Sequence, residues 1–162
     1  MKRYITFASL AFALLQGSVA QTIVKPSVKT KTTFAIVTDS KSYEEAKSEI
    51  DAYRASVEQE GLGTYLVIDD WKTPHPIREV LKQLHADKKA PLEGCALVGD
   101  IPVPMIRDAQ HLCSAFKMNQ TMAWQRSSVP SDRYYDDFGL EFDYIKQDSL
   151  NTDYHYLSLR AD

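Results

Sequence analysis

Apolar runs alternate with amphipathic stretches through the first hundred residues. Thr33-Phe-Ala-Ile-Val-Thr-Asp39, Thr64-Tyr-Leu-Val-Ile-Asp-Asp70 and Gly94-Cys-Ala-Leu-Val-Gly-Asp100 each set an unbroken apolar run before an acidic residue. Runs of this kind, without polar alternation, read as strands buried on both faces. Between the first two, Tyr43, Ala46, Ile50, Tyr53 and Val57 recur at helical spacing, opened by a capping box at Ser42-Tyr-Glu-Glu45 and closed by Gly61. Between the second and third, Thr73-Pro74 starts a helix with Ile77, Val80, Leu81 and Leu84 as its buried stripe, ending in Asp87-Lys-Lys-Ala-Pro91. Strand, helix, strand, helix, strand with short links predicts right-handed crossovers and an α/β domain: three layers, a mainly parallel sheet flanked by helices.

The pattern beyond Asp100 is less regular. Pro102 and Pro104 argue against regular structure for a few residues, and residues 106–119 carry apolar positions at uneven spacing that suit a short helix. Residues 122–130 read as an aromatic loop. Leu140-Glu-Phe-Asp-Tyr144 and Tyr154-His-Tyr-Leu-Ser-Leu159 alternate as half-exposed strands do, and they predict a hairpin across Lys146 to Asp153. Three parallel strands and a hairpin leave open sheet edges, so the reading is of a domain incomplete at its C-terminus.

The start of the chain has another character. Met1-Lys-Arg precedes an apolar run through Leu15, then small residues at Ser18 and Ala20, the pattern of a secretory signal cleaved before Gln21. That run is shorter than the ~20 residues of a spanning helix. Residues 1–20 are therefore expected to be removed, 21–32 to form an extended leader, and 33–162 to form the domain, which is secreted, periplasmic or displayed at the cell surface. Composition fits a globular chain, with 44% hydrophobic and 25% charged residues. A net charge of -3 gives no electrostatic case for nucleic acid or an anionic membrane.

All three core strands end in aspartate: Asp39, Asp69 with Asp70, and Asp100. In an open parallel sheet these ends share the edge where ligands bind. Asp39, Asp70 and Asp100 thus form a candidate divalent-cation site, with oxygen ligands that suit Ca²⁺ or Mg²⁺. The alternative is that they cap turns and helices. Phosphate loops, GxSxG elbows, HExxH and paired CxxC motifs are absent. His75 and His85 read as surface residues. His111 and Cys113, two apart, share a face on a strand but not on a helix. Cys95 is a core residue of its strand or the partner of Cys113 in a bridge. Asn119-Gln-Thr121 fits a glycosylation acceptor. In Asp132-Arg-Tyr-Tyr-Asp-Asp137, a turn would carry tyrosine rings onto the sheet with Arg133 paired to an acid; alternatively Asp132 receives a cationic group of a ligand.

Ala96-Leu-Val-Gly-Asp100, the Ile101-Pro102 that follows, and Ser131-Asp132 with Tyr134 and Tyr135 after a spacer of about thirty residues resemble the amino-terminal part of the gingipain-like cysteine peptidase domain. The resemblance spans roughly Thr33 to Asp137. It implies a caspase-like fold, export, Ca²⁺ binding, and peptide-bond hydrolysis by a cysteine nucleophile with a histidine base. It places Asp132 where that family has an aspartate able to line the substrate pocket. In that family the catalytic histidine and cysteine follow the S-D-x-x-Y segment. Here no cysteine follows Cys113, and the one later histidine, His155, sits in a Tyr-His-Tyr setting that departs from the pattern. The expectation is an amino-terminal portion lacking the catalytic pair, inactive alone and awaiting a companion C-terminal segment. The alternative is a non-catalytic secreted binding module that uses the acidic edge.

Overall fold

The computed structural model describes residues 21–108 and 119–160, which form a mixed α/β structure with two four-stranded sheets. The first sheet has the order β1-β3-β2-β4 and contains β1 (Thr22–Val24), β2 (Thr33–Thr38), β3 (Gly63–Ile68) and β4 (Leu92–Val98). The parallel core expected from the three apolar runs is present: β2 pairs in parallel with both β3 and β4. Within residues 21–32, expected as an extended leader, Thr22–Val24 joins the sheet as β1, antiparallel to β3.

Helix α1 (Ser40–Glu45) follows β2 and is succeeded by α2 (Lys47–Gln59). The capping box lies elsewhere than the sequence suggested. Asp39 is the N-cap and accepts from the Ser42 N–H, so Ser42 is inside the first turn. Gly61, at φ 97°, reverses the chain after α2 as expected. Ile50 is the buried residue of α2 and packs with Ile36 and Leu66 on one face of the sheet, whereas Tyr53, assigned to the same stripe, is exposed.

Helix α3 (Pro74–His85) has Thr73 as N-cap and Pro74 in its first turn, as predicted. It covers the opposite face, where Ala35, Val37, Val67, Ile77, Val80 and Leu81 pack together. Burial of side chains such as Ile77 and Leu81 stabilises by roughly 1.5–3 kcal/mol each. β2 is buried on both faces, but β4 is only half-buried for most of its length because it lies at the sheet's edge.

The chain after Asp100 departs from the single sheet of the sequence reading. β5 (Val103–Arg107) leads a second sheet of order β6-β5-β8-β7, with β6 (Val129–Pro130), β7 (Phe142–Gln147) and β8 (Tyr154–Leu159). Pro104 therefore lies within a strand. Its carbonyl accepts from the Ser131 N–H at 3.0 Å, while its nitrogen has no proton to return, so the antiparallel ladder with β6 stops at that point. Ile106 belongs to β5, and residues 109–118, including the rest of the expected helix with His111 and Cys113, lie outside the described residues. The hairpin forms as predicted, β7 antiparallel to β8. The 122–130 loop contains a helical turn, α4 (Trp124–Ser127), before β6.

A second short helix, α5 (Arg133–Asp136), buries Tyr134 and Tyr135 against the first sheet and α3. Arg133 pairs with Asp137, as the structural reading of that segment required. Arg78 of α3 is buried and donates to the carbonyls of Tyr134, Asp137 and Leu140. It also lies over the rings of Tyr134, Phe138 and Phe142. Such hydrogen bonds satisfy the buried cation, so α3 anchors the segment between β6 and β7 of the second sheet.

Candidate functional site

The connection between the sheets is built at the carboxyl ends of β2 and β4. Asp39, buried just beyond β2, accepts from the Ser42 N–H through Oδ1 at 2.9 Å and from the Asp100 N–H through Oδ2 at 2.7 Å. One carboxylate thus holds both the start of α1 and the turn that leaves β4. Burial by itself raises the Asp39 pKa, but the hydrogen bonds from Ser42 and Asp100 outweigh it and hold the carboxyl below its ordinary value. The turn is made by Gly99 at φ 88°, and a Cβ there would collide with Asp39 Oδ2 and Ser42 Oγ. Gly-Asp therefore marks the point where the backbone leaves the sheet, for a steric reason as well as a conformational one.

Two further side chains fix the surroundings. Trp71 is buried and its Nε1 donates to the Thr38 carbonyl at 2.9 Å, closing the end of β2. Tyr135 donates its hydroxyl to the Pro102 carbonyl at 2.5 Å, and burial pushes its pKa well up, so it acts as a permanent donor. The Val103 N–H donates to the Asp153 carbonyl at 2.7 Å, so the loop before β8 is set beside the loop after β4.

These constraints leave a polar cleft of about 180 Å³ between the sheets. Lys72 and Asp100 come from the first sheet's carboxyl edge, and Gln147, Thr152, Asp153 and His155 from the hairpin. His155 is 1% exposed, and its Nδ1 lies 3.3 Å from the Tyr144 hydroxyl. Burial lowers its pKa and outweighs the nearby Asp153 carboxylate, which acts to raise it, so the net shift favours a neutral ring at pH 7. The cleft thus combines a neutral imidazole, an ammonium, carboxylates and an amide, groups suited to hydrogen-bonding a polar backbone.

The predicted residues are divided. Asp100 lines the cleft, Asp39 supports it from below through backbone N–H groups, and Asp70 is exposed with its N–H donating to Asp69 Oδ1 at 2.8 Å. Among the described residues no group of three or more His, Cys, Asp or Glu side chains is arranged to hold a metal ion. Asp132 is exposed at the start of α5, outside the lining of the cleft, and its charge is felt by Cys95 and Tyr135. Lys72, Gln147, Thr152 and Asp153 were not anticipated. Lys72 follows β3 at the edge already expected to bind ligands, whereas the one signal for Gln147, Thr152 and Asp153 is the hairpin, whose loop the pairing of β5 with β8 brings beside Asp100.

Cys95 is a free thiol on β4. Burial, reinforced by the Asp136 and Asp132 carboxylates, pushes its pKa up to about 11. A nucleophilic thiol needs the opposite environment, one that stabilises the thiolate. No helix among the described residues is long and apolar enough to cross a membrane. No protein-family description, characterised protein or solved structure matches the chain in comparison.

Proposed function

We propose that the chain is the ligand-holding amino-terminal portion of an exported gingipain-like cysteine peptidase domain, which receives a peptide at the carboxyl-edge cleft and does not hydrolyse it alone. In its caspase-like reading the parallel β3-β2-β4 unit is the start of the catalytic sheet, and a companion C-terminal segment supplies the nucleophile and base. The observation that carries the proposal is the polar cleft lined by Asp100, Asp153 and His155 at the carboxyl ends of parallel strands, where open α/β sheets bind ligands. Asp132 would meet a cationic substrate side chain from its exposed position ahead of α5.

The purified chain is expected to leave every member of a peptide library intact, with thiol and Ca²⁺ present, while peptides shift the amide resonances of Asp100, Thr152 and His155. Thiol-dependent cleavage that survives Cys113→Ala but is lost on replacing a histidine would end the proposal. Calcium, expected from the strand-end carboxylates and from the resemblance, is tested separately: a calorimetric titration that releases no heat removes it.

A second reading is a secreted binding module without catalytic role that uses the acidic carboxyl edge, where Asp100 and Asp153 line the cleft. A cooperative unfolding transition of the monomeric chain by itself supports the module over the portion of a larger domain.

A further inference from the structure

β4 differs from the other sheet edges among the described residues in that its Gly94–Val98 stretch carries none of the devices that discourage a further strand. β1 is three residues long, β6 is two and ends in Pro130, and β7 carries Asp143 and Lys146 with a register shift between Tyr144 and Lys146. Short length, proline, charge and bulges are the devices by which edges avoid new pairing. β4 runs for seven residues and, among the described residues, pairs with β2 alone. Its one irregularity lies at the start, where Glu93 is the extra residue between Leu92 and Gly94. From Gly94 to Val98 the strand is uncharged, lacks proline and is half-buried.

A cavity of about 380 Å³ opens beside this edge, between α3 and the segment around α5. Its apolar floor is formed by Leu81, Leu92, Cys95 and Phe138, and the carboxylate residues Glu93 and Asp136 belong to its lining. The field of Asp136, with that of Asp132, reaches Cys95 on the floor. The cavity therefore combines room for one large apolar side chain with a negative potential at its wall.

We propose that β4 accepts an extended segment of another polypeptide as an added strand, which sets a large apolar side chain in the cavity and an adjacent lysine or arginine against Glu93 and Asp136. Main-chain hydrogen bonds to the free edge supply affinity, and the alternating side chains supply selectivity. The occupant is a different polypeptide rather than a second copy, because β4 itself carries no lysine or arginine that a second copy could set against Glu93 and Asp136. The site is separate from the cleft and does not rest on the peptidase reading.

The probe is a synthetic peptide of about ten residues, alternating threonine and valine around a central phenylalanine-lysine pair, titrated into the isotopically labelled full chain. Saturable shifts of the Gly94–Val98 amides are expected. Methylating the peptide's alternate backbone nitrogens should weaken binding at least about tenfold, and replacing its lysine by glutamate about fivefold. Absence of binding, or equal binding by the N-methylated peptide, overturns the proposal. Concentration-dependent shifts of the same amides without peptide also overturn it, in favour of self-association.

Discussion

The two cavities lie at opposite ends of the same strand and are held open by different forces. At the carboxyl end of β4, the Asp39, Trp71 and Tyr135 side chains each form a hydrogen bond to backbone and fix the turn to the second sheet. The cleft that results is small and polar. At the amino end, packing of Leu81, Leu92 and Phe138 sets the cavity floor; His85 Nδ1 lies 2.8 Å from the Leu92 carbonyl, but among the described residues no side-chain hydrogen bond braces the Gly94 or Cys95 backbone. The difference teaches where each end is sensitive. Directional bonds in a buried turn tolerate little displacement, whereas an apolar cavity beside an open edge can change shape at modest cost.

The largest contrast is expected between two glycines of this one strand and its turn. Gly99→Ala forces an L-residue to φ 88° and drives Asp39 from the Asp100 N–H. The strained backbone and the lost charged hydrogen bond together cost about 3–5 kcal/mol. Gly94→Ala meets the Phe34 ring, Cε2 at 3.4 Å and Cδ2 at 3.6 Å, ordinary contact, and should change stability by less than about 1 kcal/mol. Urea denaturation of the two variants measures both values, and equal losses would mean that the two ends are not built differently.

The next effect is kinetic and reports on the apolar end. With its pKa near 11, Cys95 exposes little thiolate at pH 8, and alkylation by iodoacetamide should be about two orders of magnitude slower than for an unperturbed thiol of pKa ~8.5. The measurement uses Cys113→Ser so that one thiol is followed. An ordinary rate would show that the cavity floor is wet and that the carboxylates do not govern it.

The parts of the molecule that sequence made legible are those whose cause is local. The apolar runs at Thr33, Thr64 and Gly94 become β2, β3 and β4, and Thr73-Pro74 starts α3, because burial period and cap chemistry are written within a few residues. The alternation in residues 154–159 likewise gave β8 and its hairpin. Pro104 misled because a proline speaks against a strand only where its missing N–H is needed, and the ladder to β6 ends there. Asp39 and Ser42 are both good N-caps, so spacing alone could not choose between them. Asp100 was named for its place at a strand end, but the company it keeps with Asp153 and His155 depends on β5 lying beside β8, a pairing across some fifty positions that no local pattern encodes.

The smallest of the expected effects isolates the carboxylate that ties the polar end together. Asp39→Asn keeps the shape of the side chain but offers one acceptor where two backbone N–H groups converge, and its amide protons face the second donor. The loss at pH 7 should be about 1–3 kcal/mol, the usual penalty for leaving a buried donor without its charged acceptor. Its pH dependence carries a definite sign. The Asp39 pKa is depressed in the folded protein, so its contribution is fully present above the unfolded value of ~3.9 and is lost as pH falls through the lower folded value. The stability difference between the natural chain and Asp39→Asn, followed by urea denaturation, should therefore be constant from pH 7 to 5 and shrink below about pH 4. A difference that persists undiminished to pH 3 would mean that the Asp39 charge does not hold the turn, and that shape alone sets the polar end of β4 as packing sets the apolar one.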